Sequence, residues 1–143
     1  MIRSCLCILF LIIGLSATAQ ERDTIPALFK GEFVDDYGIR YHLTDTVWTQ
    51  QPGIRYHIIQ WNEKEQWLLA RNDAANPSAP GLYTRIDITR FSNMAPWTWG
   101  FCLSAYESAT AGDALKVKAA DRNTPRTGCN GFPFSRMKRT QEP

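Results

Sequence analysis

Little in this chain is suited to covalent or metal chemistry. It has two histidines and four cysteines in 143 residues, and Cys5 and Cys7 fall in an apolar N-terminal run. No Gly-x-Ser-x-Gly elbow marks a serine nucleophile, and no glycine-rich loop is set up for phosphate. Neither Cys-x-x-Cys nor His-x-x-x-His spacing is present, so no metal or other cofactor is expected. An Asn-x-Ser/Thr acceptor is also missing, because Pro77 blocks the one match at Asn76-Pro77-Ser78. Charge of one sign is scarce: 16 basic residues face 14 acidic ones, which gives no global pull toward nucleic acid or an anionic membrane. The one long apolar run, Leu6 to Leu15, is shorter than the roughly 20 residues a spanning helix needs.

That run has a different reading. Arg3 precedes it and the small-x-small triplet Ala17-Thr18-Ala19 follows it, the layout of a secretory signal cleaved near Ala19. Residues 20–143 then form a single exported domain, periplasmic or secreted, with no membrane span. Cys5 and Cys7 leave with the leader, and neither follows a cleavage-like small residue, so lipid anchoring is not expected. Cys102 and Cys129 remain. In an oxidising compartment an even pair defaults to a disulfide, with two buried thiols as the alternative. Closing a loop of about 28 residues is worth about 3.5 kcal/mol in the chain-entropy model.

Strand signals dominate the rest. Six segments have them: Phe29 to Asp35, Ile39 to Thr44, a third from Gly53, Gln66 to Arg71, Leu82 to Thr89, and Trp97 to Tyr106. In the second, Ile39, Tyr41 and Leu43 alternate with Arg40, His42 and Thr44, a period of two with one apolar face. In the fifth, Leu82, Thr84, Ile86 and Ile88 face one way; Tyr83, Arg85, Asp87 and Thr89 face the other. In the sixth, Trp97, Trp99, Phe101, Leu103 and Ala105 share a face opposite Gly100, Cys102, Ser104 and Tyr106. Cys102 therefore points away from the large apolar side chains, and the segment carrying Cys129 should strap the outer face, with Gly100 permitting close approach. A short helix is expected over Thr110 to Ala120, capped by Thr110 with Asp113 in its first turn. After Arg122, prolines and glycines predict an irregular loop docked by Phe132, Phe134 and Met137. The expected fold is mainly β: one antiparallel, strongly curled sheet or small barrel, with one short C-terminal helix and a disulfide-tethered C-terminal loop.

Within that fold the sites are few. Asp35 and Asp36 adjoin, which on a strand sends them to opposite faces; the plain reading is a turn pair serving Gly38. A small hydrolase using Asp35, Asp36 and His42 is the enzymatic alternative. His42 and His57 lie on polar faces, where neighbouring strands could bring them together. Five tryptophans are a heavy aromatic load. Inward rings either fill a barrel or line a ligand cavity; as a cavity wall the candidates are Tyr41, Tyr56, Trp97 and Trp99. A third feature is the basic stretch from Lys116 to Arg139, seven cations opposed by Asp121 alone. Its Arg122, Arg126 and Arg136 are candidates for docking an acidic protein or envelope surface.

The string Phe29-Lys30-Gly31-Glu32-Phe33-Val34-Asp35-Asp36-Tyr37-Gly38, with Gly-x-aromatic opening a first strand, resembles the start of lipocalin-like small barrels. A wider stretch is similar to a group of exported bacterial proteins and lipoproteins without an established activity. The shared features are the Asp-Tyr-Gly start, Gly81-Leu82-Tyr83-Thr84-Arg85, and Ala120-Asp121-Arg122 through Gly128-Cys129-Asn130-Gly131-Phe132-Pro133-Phe134. This resemblance implies the compartment and a Cys102–Cys129 bridge and brings no activity. The chain departs from the lipoprotein members in lacking a lipidation cysteine after its leader. The leading expectation is a non-enzymatic exported barrel binding a small apolar or aromatic-compatible ligand. An interaction or inhibitor module using the basic loop is the alternative, and a small hydrolase is third.

Overall fold

Period-two alternation in segment after segment, with short turns between, leaves each strand one face to bury and two edges to pair. A sheet meets both demands at once by rolling shut. The computed structural model describes residues 23–140, and here the sheet does close. The expected signal sequence, residues 1–19, lies outside the described residues. Eight strands run up and down in chain order, each antiparallel to the next. They are β1 (Gly31–Asp35), β2 (Arg40–Leu43), β3 (Val47–Gln50), β4 (Ile54–Asn62), β5 (Trp67–Asn72), β6 (Tyr83–Arg90), β7 (Trp99–Ser108) and β8 (Ser135–Arg139). β8 then pairs with β1, Val34 opposite Lys138, to complete the barrel. One helix, α1 (Ala111–Lys116), packs on the outside, burying Ala114 against Trp67, Leu69 and Ala105.

Two strands were not legible as strands. β3 is four residues long and places only Trp48 in the core, too little for an alternation to register. β8 has one apolar residue, Met137, which is fully buried inside the barrel. The C-terminal segment expected to be an irregular loop on the outer face is thus divided. Its first part is the outer strap, where Phe134 packs on Cys102, Ala120 and Cys129. Its last part is the strand that closes the barrel. Phe132, expected as an anchor, is 71% exposed and anchors nothing.

The strap is held as its cysteines suggested. Cys102 sits on the outward face of β7 opposite Asp87, and it is bonded to Cys129. The close approach at Gly100 serves other groups than expected: a Cβ there would lie 2.8 Å from the Phe91 ring and 2.9 Å from the Ser135 carbonyl oxygen. α1 starts where predicted, with the Thr110 hydroxyl accepting the Asp113 N–H at 3.1 Å. It stops at Lys116 rather than Ala120, because the following residues extend across β6, where Ala120 N–H donates to the Asp87 carboxylate at 3.0 Å.

A bulge corrects one facing assignment. Arg85 pairs with Ala105 but Ile86 with Leu103, so β7 carries an extra residue at Ser104. Ala105 is thereby turned out of the barrel and packs beneath α1.

One end of the barrel is plugged. Phe29, expected to begin the first strand, belongs instead to a 3₁₀ turn (Ala27–Phe29) and is fully buried, edge-on to Trp61 and Trp99. Arg139 pins this turn to the closing strand, donating to the Lys30 and Ala27 carbonyls at 3.0 and 3.1 Å while its guanidinium lies over Phe33. Gly31 makes room for it. Its φ is +113° and a Cβ would fall 2.8 Å from Arg139 Nη1.

Candidate functional site

The interior at mid-height is solid ring. Trp48 and Phe101 meet at 4.9 Å between centroids, Phe33 and Trp99 at 5.1 Å, and Tyr41 and Phe101 at 5.4 Å, all close to perpendicular. Edge-to-face contact of this kind adds about 0.5–1.5 kcal/mol per pair beyond the area buried. Of the residues expected to wall a ligand cavity, Tyr41 and Trp99 are therefore part of the filling. The indole N–H of Trp99 is buried without a conventional acceptor, and the rings of Phe29, Phe33 and Trp48 stand around it. Tyr41 donates its hydroxyl to Asp35 Oδ2 at 2.9 Å. Burial first, and this bond to a carboxylate second, push its phenol well above the ordinary tyrosine range.

Trp97 is a correction. It precedes β7, lies outside the core, and has Arg136 and Lys138 at about 5 Å from its ring. Both cations are on the outward face of β8, since Met137 between them points in. The alternation read from Trp99 onward does not extend back to Trp97, because the strand has not yet begun.

Tyr56 alone of the four lines a recess. At the end opposite the 3₁₀ plug, a recess of about 90 Å³ is lined by Tyr56, Ile54, Leu103 and Tyr106 from the strands and by residues 76–79 of the β5–β6 loop. Burial by itself raises the Tyr56 phenol, which, unlike that of Tyr41, hydrogen-bonds to no carboxylate. The loop is held rigidly. Asn76 is 6% exposed and bonds Arg55 both ways, accepting its N–H at 2.9 Å and donating to its carbonyl at 2.8 Å. Asn72 donates to the Ala79 and Tyr106 carbonyls at 2.9 Å each and accepts the Thr84 hydroxyl. In the sequence neither asparagine stands out from its loop. Their signal was that Asn72 ends a strand and Asn76 precedes a proline, positions where an amide can stand in for missing backbone partners.

Asp73 fastens the same loop from outside. It accepts the Ala75 N–H at 2.8 Å and pairs with His57 at 2.6 Å. The Ala75 bond first, and His57 second, hold its carboxyl below the ordinary aspartate range. A carboxyl depressed in the fold contributes stability that is present above its unfolded pKa, about 3.9, and is lost as pH falls through its folded value. In a ¹³C titration the Asp73 carboxyl should therefore have a midpoint below about 3.9, and amide protection at Ala75 should fall with it. An unshifted midpoint would contradict the clasp.

The other candidates are dispersed. His42 pairs with Glu32, and β3 separates its strand from that of His57. Asp35 is tied to Tyr41 and to the N–H groups of Tyr37 and Ile39, while Asp36 pairs with Arg136 at 2.9 Å. The acids and histidine of the hydrolase alternative are thus committed to three different partners. Among the described residues no cluster of three metal-ligating side chains occurs. The basic stretch is likewise not a patch of free charge. Arg136 is spent on Asp36, and Arg122 donates to the carbonyls of Ile88, Glu65 and Gln66 at 2.7 to 2.8 Å. Arg126 remains exposed on the strap.

What the alternation missed is the hub beneath that strap. Asp87 is fully buried on the outer wall of the barrel and accepts from Arg85 Nε and Nη2 at 3.2 and 3.0 Å, from Ala120 N–H, and from the Ser104 hydroxyl; Arg122 lies 3.6 Å away. Arg85 and Asp87 were read as an outward polar face, which is correct. That face is itself covered, which two-residue periodicity does not disclose. Among the described residues no helix is long and apolar enough to cross a membrane. Compared with known proteins, the chain matches no family model, no curated protein and no solved structure.

Proposed function

We propose that this protein is an exported, non-enzymatic binding barrel, lipocalin-like in build, that grips one end of a small apolar or aromatic ligand in the recess at its mouth. Up-and-down eight-stranded barrels either fill with side chains or hold one small ligand. With the middle filled by rings, the ligand sits at the rim instead of the centre. The observation that carries this reading is Tyr56: a phenol 7% exposed, lining a recess beside Ile54 and Leu103, its burial uncompensated by a charged partner. A recess of about 90 Å³ has room for about three waters at roughly 30 Å³ each. It lies well below the roughly 300 Å³ at which sites begin to enclose a drug-sized molecule. The ligand therefore inserts a ring edge or short alkyl end and leaves the remainder outside. The Cys102–Cys129 bridge supports export, since such bonds persist in oxidising compartments. A docking module on the basic stretch has less support, because Arg136 is paired with Asp36 and Arg122 is fixed against the barrel wall by three carbonyls instead of standing on an open surface.

p-Cresol carries the minimal chemistry, a ring with one hydroxyl. NMR titration should give saturable shifts at Ile54, Leu103 and Tyr56. Tyr56→Phe should weaken binding by roughly two- to tenfold, the weight of one hydrogen bond. Shifts confined to the neighbourhood of Trp97, or a Tyr56→Phe variant that binds as well as the parent, would overturn the proposal.

A further inference from the structure

The strap that crosses the outer wall leaves a groove beside it, remote from the mouth recess. On one side run Val117 and Ala119; on the other lies the turn between β4 and β5, with Lys64 and Gln66. The nearly buried guanidinium of Arg85, lying over the Trp67 ring at 5.5 Å, and the side chain of Arg122 also line it. The groove has a volume of about 520 Å³, within the range of about 300–1,000 Å³ typical of small-molecule sites.

Its electrostatics are lopsided in a useful way. Arg85 is neutralised by Asp87 and also donates Nη1 to the Leu115 carbonyl, so it contributes shape and little free charge. Glu65 also lines the groove and is its one carboxylate, engaged by the Trp67 indole N–H, which it accepts at 2.8 Å. Three cations (Lys64, Arg85 and Arg122) face two carboxylates (Glu65 and Asp87), an excess of one positive charge that is offered by Lys64 and Arg122. Lys64 is exposed and has no salt bridge among the described residues. Arg122 uses Nε and Nη2 on three carbonyls, with Nη2 also 3.6 Å from the Asp87 carboxylate that Arg85 already holds, and its Nη1 has no hydrogen bond among the described residues. Those bonds matter for affinity: an arginine on a surface ordinarily loses rotamer freedom when it captures an anion, and here its side chain is already fixed. Lys118, exposed between Val117 and Ala119 in the chain, adds positive field nearby.

We infer that this groove is a second binding site, for a small organic anion: a carboxylate or phosphate ester whose charged end meets Lys64 and Arg122 Nη1 and whose body lies along Val117 and Ala119. The inference is independent of the mouth recess. It needs a charged ligand, whereas the recess takes an uncharged ring edge or alkyl end.

Phenyl phosphate and its neutral counterpart benzyl alcohol separate the two sites when titrated by NMR into the purified protein. Phenyl phosphate should give saturable shifts at Val117 and Ala119, weakening as salt is raised, and benzyl alcohol should leave those residues still. Lys64 is on an exposed turn outside every clasp described above, so Lys64→Glu should fold normally; it should weaken phenyl phosphate by about tenfold, as reversing one charge at a partly desolvated site does. Leu103 and Tyr106 report the mouth recess in the same spectra, so failure at either site is visible separately. Shifts at Val117 and Ala119 that never saturate, that appear equally with benzyl alcohol, or that are indifferent to Lys64→Glu would overturn the site.

Discussion

Replacing Asp87 with alanine is expected to destabilise the protein by about 3–5 kcal/mol, the cost of stranding a buried charge. Asp87 is fully buried and Arg85 is 6% exposed, so removing the carboxylate leaves a largely desolvated guanidinium without its counter-charge. It also frees the N–H of Ala120 and the hydroxyl of Ser104, the contacts that hold the strap to β6 and β7. The loss should therefore be greater than that of a surface ion pair, which is worth at most about 1 kcal/mol. Chemical denaturation checks the size, and a second variant checks the cause. Arg85→Met combined with Asp87→Ala removes both charges, and it should recover much of the stability because no buried charge is then stranded, only the Ala120 N–H and the Ser104 hydroxyl. If Asp87→Ala alone costs less than about 1 kcal/mol, the strap is held by its disulfide and its apolar contacts with Phe134, and the hub is incidental.

Trp99→Ala should be of similar weight, about 3–5 kcal/mol, for an apolar reason. Trp99 is fully buried where the plugged end meets the barrel, and Phe29, Phe33 and Trp48 all lean on it. Those three rings come from different elements, so they cannot collapse together into the space without opening the plug. A void should persist, and an apolar void of that kind stays dry and accepts benzene or xenon. The variant is thus expected to gain benzene binding that the parent lacks, read as a rise in its melting temperature on adding benzene. A stable variant with no such gain would mean that the rings repack and that the interior is less constrained than the geometry indicates.

How far the sequence foretold this depends on what each residue had to signal. Tyr41, Leu43, Ile86 and Ile88 alternate with polar neighbours, so their strands and inward faces were evident before any coordinates. The bridge followed from counting cysteines, and its placement on the outer wall from the facing of Cys102. β8 was not legible, because one methionine among serine, arginines and lysine has no period; only the vacancy beside β1 calls for a strand there. Trp97 was assigned inward by extending an alternation past the end of its strand, and the bulge at Ser104 inverted Ala105 for a related reason. Periodicity states which residues share a face, not where a strand begins or gains a residue. The mouth recess depended on Asn72 and Asn76, whose importance lies in carbonyls contributed by Arg55, Ala79 and Tyr106. Contacts across 21 or 34 positions leave no mark on neighbouring letters.

That the barrel's centre is packed and that ligand space is confined to its open mouth and outer wall can be tested without knowing any ligand. Xenon enters dry apolar voids of protein interiors and reports them directly. In the unmodified protein, xenon-dependent chemical shifts should be limited to Ile54 and Leu103 at the mouth, with Ile86, Ile88 and Met137 unmoved. Saturable xenon shifts at those three central residues would reveal an open chamber among the rings and contradict the account.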